Sequence, residues 1–128
     1  MARKVYFLAG LLWTCFIVYA CLAEASTIPK TSFFNIPNRD KIAHCAFYFV
    51  FSLIWFLFHS KKNTDRRTKR RIGIVIFTIA TFFGGCIELC QYYFTSSRSA
   101  EWADFFANSL GSAVGIIFGL FITTHKKK

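Results

Sequence analysis

Nine residues hold most of this chain's capacity for chemistry: Asp40, Lys41, His44, Glu88, Gln91, Arg98, Glu101, Asp104 and Asn108. The carboxylates and the histidine are groups that exchange protons in general acid–base chemistry. Lys41 and Arg98 are groups that clamp phosphate or carboxylate. Gln91 and Asn108 bond to amides and sugars as readily as to a neighbouring helix. Helical spacing groups them further. Asp40, His44 and Tyr48 are four apart and share one face. Glu88 and Gln91 are three apart, with Thr81, Gly84 and Gly85 on their face and Cys86 and Cys90 on the opposite one. Asp104 and Asn108 fall in line with Gly111 and Gly115.

The elements that must position these residues follow from composition. The chain has 128 residues, which suits one domain spanning 1–128. It is 55% hydrophobic and 20% aromatic, with 17 Phe and only 17% charged residues. A soluble domain carries about 25% charged residues and, at this length, could not hide so much Phe. Disorder and collagen-like repeats are excluded by the same figures. Charges leave four long stretches almost untouched, at about 5–23, 42–59, 72–94 and 104–122. Each matches the length of about 17–25 apolar residues that crosses a bilayer. The expected fold is an all-α membrane protein, a four-transmembrane-helix bundle.

The net charge of +10 is a topology signal, not a nucleic-acid footprint. Twelve of the sixteen basic residues flank one side of the spans, at Arg3 and Lys4, in the loop 60–71, and at Lys126, Lys127 and Lys128. The positive-inside rule therefore puts both termini in the cytoplasm, in a multi-pass protein of the cytoplasmic membrane. Ala23-Glu24-Ala25 resembles a signal-peptide cleavage site, but the preceding uncharged stretch is longer than the usual 7–15 residues, so the first segment reads as an uncleaved span. Val18-Tyr19-Ala20-Cys21 is a faint lipoprotein-like site that Tyr19 spoils. The five cysteines lie inside spans and read as free thiols.

On this topology the polar residues of three spans and of the loop 95–103 collect at one depth, at the outer end. The inner halves of those spans are nearly free of them, which argues against an ion path. Placing an Asp or Lys at a helix centre costs about 2.5–3.5 kcal/mol, so Glu88, about six residues from the outer end, needs a partner, a water-filled cavity or a proton. Arg98, Lys41 and His44 are the available partners. Gly111, Gly115 and Gly119 repeat the GxxxG spacing that lets helices approach closely in lipid, which turns the polar residues of the fourth span toward protein. Trp102, Tyr92 and Tyr93 stand where an outer aromatic belt would be.

These residues also form motifs in order. Asp40-Lys41-Ile42-Ala43-His44 is followed by Tyr48; Glu88-x-x-Gln91 closes the third span; and Arg98-Ser99-x-Glu101-x-x-Asp104-x-x-Ala107-Asn108-x-Leu110-Gly111 enters the fourth. The set resembles the VanZ-like family of small bacterial membrane proteins, with two departures. Ser96-Ser97 stand where the family often has Pro-Gly, and Glu101 replaces the usual Asp. The resemblance implies a cytoplasmic-membrane protein, and the family takes its name from a factor linked to teicoplanin resistance. It supplies no reaction.

Three functions compete. In the first, the cluster binds an envelope component, a lipid-linked headgroup or a glycopeptide; with Glu88, Glu101, Asp104 and Asp40 opposing two strong cations, a zwitterionic or hydroxyl-rich ligand suits it better than a plain anion. As an outer-face enzyme of lipid-linked precursors, it would use Glu88 or His44 as base with Asp104 orienting it. As a structural or partner subunit, it would use the cluster as a polar lock between helices. No nucleic-acid partner is expected. No cofactor and no metal are expected either, because no recognised ligand spacing is present, although a divalent-ion version would use Glu88, Asp104 and His44.

Overall fold

In lipid every backbone N–H and C=O must be satisfied within its own segment, so an apolar stretch of this length closes into a helix. The computed structural model describes residues 2–23, 38–62, 65–96 and 99–125. They form four helices: α1 (Ala2–Leu22), α2 (Arg39–Ser60), α3 (Arg66–Phe94) and α4 (Trp102–His125), with no strand among the described residues. All four are long and apolar enough to cross a membrane. α2, α3 and α4 each contain one of the uncharged stretches and run past it, and α1 covers all but the last residue of its stretch and begins before it, because helical hydrogen bonding does not stop where charged side chains begin.

That overrun is largest at the start of α3. The Asp65 carboxylate accepts from the Thr68 N–H at 2.8 Å and from the Thr68 hydroxyl at 2.9 Å, capping the helix. These bonds hold the Asp65 carboxyl below its usual range. A carboxyl with a lowered folded-state pKa stabilises the fold above its unfolded value, and the contribution is lost as pH falls through the lowered one.

The helices alternate in direction. One end, here the near end, holds the starts of α1 and α3 and the finishes of α2 and α4. There the Lys61 ammonium lies over the Tyr6 ring, and Lys69, buried despite its place in the basic loop, donates to the Thr123 carbonyl at 3.0 Å. Lys69 thereby satisfies an orphan carbonyl in the last turn of α4. The opposite, far end holds the finishes of α1 and α3 and the starts of α2 and α4.

Apolar area does not drive helices together in lipid, so close packing and polar bonds must. α2 and α4 make the most extensive pairing. A Cβ added at Gly111 would overlap the Cys45 carbonyl, one at Gly115 would meet Ser52 Oγ and the Phe49 carbonyl, and one at Gly119 would run into the Phe56 ring. Glycine is required here for proximity. Between them Ser52 Oγ lies 2.8 Å from the Tyr48 carbonyl and 3.1 Å from that of Ser112. α1 joins α2 and α3 through fewer contacts, stitched by the Trp13 indole N–H to the Phe47 carbonyl at 2.9 Å. Phe51 and Phe83 stack at 5.4 Å between α2 and α3. Outward faces are apolar throughout: Leu12, Ile74, Phe82 and Ile117 are all more than half exposed, which suits a lipid surround.

Candidate functional site

The far end gathers its polar side chains from three helices. His44, one turn into α2, is 4% exposed; Glu88, near the end of α3, is 6%; Asp104, in the first turn of α4, is 7%; Asn108, one turn deeper, is fully buried. Gly84 makes room for the last of these, since a Cβ there would stand 3.0 Å from Asn108 Nδ2. Glycines on α3 and α4 thus let a polar cluster close within the bundle.

The geometry fixes the role of His44. Its Nδ1 is 2.9 Å from Asn108 Oδ1. A carboxamide oxygen only accepts, so Nδ1 is the donor, and in the tautomer with one ring proton Nε2 carries the lone pair. Nε2 faces Asp104 Oδ2 at 4.0 Å, while Nδ1 is 3.7 Å from Glu88 Oε1. Glu88 Oε2 accepts the backbone N–H of Glu101 at 3.3 Å, and the Glu101 carbonyl in turn accepts from Asp104 and Phe105 as α4 begins. A carboxylate at a helix N-terminus is favoured by the helix dipole. Among the described residues, Glu88 Oε1, Asp104 Oδ1, Asn108 Nδ2, Tyr48 Oη and Thr81 Oγ1 are buried around these groups with no hydrogen-bond partner.

The remaining residues singled out in the sequence take different places. Lys41 forms the rim of the cluster, 3.2 Å from Glu101 Oε2 and 3.9 Å from Asp104 Oδ1. Gln91 is buried but turns away from His44 and donates to the Cys21 carbonyl at 2.7 Å, tying α3 to the end of α1. Asp40 is exposed, one turn nearer the helix end than His44. Arg98 lies outside the described residues. Of the three partners the sequence offered for Glu88, His44 is the one that stands beside it among the described residues. None of the five cysteines is in a disulfide, and only Cys21 is buried.

One feature has no counterpart in the sequence reading. A groove of about 930 Å³ runs between α3 and α4, lined by Phe77, Phe82, Gly85, Leu89, Trp102 and Phe105 among others, and Glu88 and Glu101 are in its wall. Cys86 also lines it, although helical spacing put that cysteine opposite Glu88; the groove is wide enough to wrap around the flank of α3. Glu88 belongs to both features. The arrangement can accept protons or a cation at the buried carboxylates and hold an apolar chain alongside them.

A family model described as VanZ/LLP1 matches residues 6–123. No curated protein and no solved structure matches the chain.

Proposed function

Because this chain belongs to the VanZ/LLP1 family, and its helices are those of a multi-pass membrane protein, we propose that its far end binds a lipid-anchored component of the cell envelope. The polar head would rest on the His44, Glu88 and Asp104 cluster and the hydrocarbon tail in the α3–α4 groove. The carrying observation is that Glu88 is shared by the two. Ligand sites typically enclose about 300–1,000 Å³, and this groove is at the upper end. Its wall follows α3 from Phe77 to Tyr92, about 22 Å at 1.5 Å per residue, which exceeds half of a hydrocarbon core about 30 Å thick. One leaflet's acyl chain fits that length.

The basic residues at the near end support a cytoplasmic-membrane protein with that end inside and the cluster outside. Acidic groups outnumber cations around the described cluster, which favours a zwitterionic or hydroxyl-rich head. A role in teicoplanin resistance is the extension of this reading that the family name suggests. The alternative, a structural lock, is favoured by Gln91, whose bond to Cys21 ties two helices and which does not line the α3–α4 groove.

The groove can be filled without disturbing the helices. A Cβ at Gly85 meets only the Phe105 ring, at 3.6 Å, which is ordinary contact. Native mass spectrometry of protein reconstituted with phosphatidylethanolamine and phosphatidylglycerol is expected to show lipid retained by wild type, phosphatidylethanolamine preferentially. Gly85→Leu should lose most of it at unchanged thermal stability. Equal retention by both proteins would rule out the groove as the tail site.

A further inference from the structure

We propose that His44, Glu88 and Asp104 form a binding site for one divalent first-row transition ion, an inference that does not depend on lipid binding. One ligand atom from each residue lies within 4.8 Å of the other two. Metal–nitrogen and metal–oxygen bonds are about 2.0–2.2 Å, so a pair of ligands across an ion is separated by about 4 Å or less. The three side chains need draw in only slightly to close on an ion.

Three independent features point to a cation. First, the His44 ring is set up as a ligand. Its Nδ1–H is engaged by Asn108 Oδ1, and a metal-bound histidine almost always gives its other N–H to an oxygen acceptor in this way. Second, the free Nε2 lone pair confronts a carboxylate oxygen of Asp104 at 4.0 Å. Two acceptors facing each other across a gap of that size leave room for a cation between them. Third, among the described residues no hydrogen-bond donor reaches Glu88 Oε1 or Asp104 Oδ1, and both residues are more than nine-tenths buried. A buried carboxylate oxygen without a donor is costly, and the ammonium of Lys41, at 3.9 Å from Asp104 Oδ1, is shared with Glu101. A dication balances two carboxylates where one rim lysine does not. The donor set, one imidazole and two carboxylates, suits manganese or zinc, and a groove beside Glu88 leaves a side from which a ligand oxygen can approach.

Mn²⁺ is the probe of choice, because it prefers oxygen and imidazole donors and the five cysteines compete poorly for it. Chelator-stripped full-length protein in detergent would be titrated with Mn²⁺, free ion being read by electron paramagnetic resonance. One ion per chain is expected to bind at micromolar concentration. Glu88→Gln and Asp104→Asn, which keep side-chain shape, should each weaken binding by about tenfold or more, and Asn108→Ala, through His44, by about tenfold. Lys41→Met, which removes a competing cation, should leave affinity equal or higher. The bound ion should also raise the thermal midpoint of wild type and not of the carboxamide variants, a comparison that holds even if those variants begin less stable. Failure of wild type to saturate below millimolar Mn²⁺, or binding unaltered in Glu88→Gln and Asp104→Asn, overturns the proposal. Lipid retention by metal-free protein tests the groove separately, so either reading can fail alone.

Discussion

Asn108 is fully buried and its Oδ1 orients His44, so it sets which imidazole nitrogen faces the carboxylates. Asn108→Ala leaves the Nδ1 proton without that acceptor in a site closed to water. Hydrogen bonds between membrane helices average about 0.6 kcal/mol and reach about 1.7 kcal/mol. A loss within that range is expected in denaturant unfolding from mixed micelles, and Asn108→Gln, which keeps an uncharged carboxamide acceptor, should recover part of it. A loss that Gln does not recover at all would place the role of Asn108 in packing alone. At this scale the sequence carried much of the site. Placing Asp40, His44, Glu88, Asp104 and Asn108 at one end needs only a count of residues along four spans. What the count omits is direction beyond the helix face. Asp40 shares a face with His44 yet lies beyond the packed zone, and Gln91 reaches back to a carbonyl on α1 that no spacing rule identifies.

Among the elements, α4 depends on approach and α3 on shape. Gly111 faces the Cys45 carbonyl so closely that any side chain forces α2 and α4 apart. Gly111→Ala is expected to cost about 1–3 kcal/mol, the range of an overpacked core. Gly85→Ala, whose Cβ would make only ordinary contact with the Phe105 ring, should stay within about 0.5 kcal/mol of wild type. Parallel thermal melts in one detergent give the comparison, and equal effects would mean that the glycine stripe is not the contact. The GxxxG pattern announced such an approach, but its partner helix is visible only in the fold. Lys69 shows the reverse. Its sequence neighbours make it one more basic loop residue, whereas its side chain enters the bundle to bond α4. The groove escaped the sequence for a physical reason: Phe77, Phe82 and Phe105 would have the same apolar character whether they faced lipid, a neighbouring helix or a channel between two helices.

At the scale of the whole molecule, the charge distribution bears on which way it faces. Twelve basic residues belong to the near end or the segments beside it, and the acidic cluster lies at the far end. A fluorescent reporter fused after Lys128 should therefore be active, and a phosphatase that works only outside the cytoplasm should be silent there. In a teicoplanin-susceptible Gram-positive host, that orientation exposes the cluster to the drug's own compartment. Wild type is expected to raise the inhibitory concentration, and Glu88→Gln or Asp104→Asn at matched protein levels not to. An active phosphatase after Lys128 would invert the picture and move the cluster to the cytoplasmic face.

The groove between α3 and α4 opens on the lipid-facing flank of the bundle and not only at its end, since Phe82 and Leu89 in its wall are among the most outward residues of α3. A molecule entering by that flank arrives from within the bilayer plane. Its occupancy would then follow its mole fraction among neighbouring lipids, and diluting the sample with water would not release it. Diluting the membrane with other lipid would.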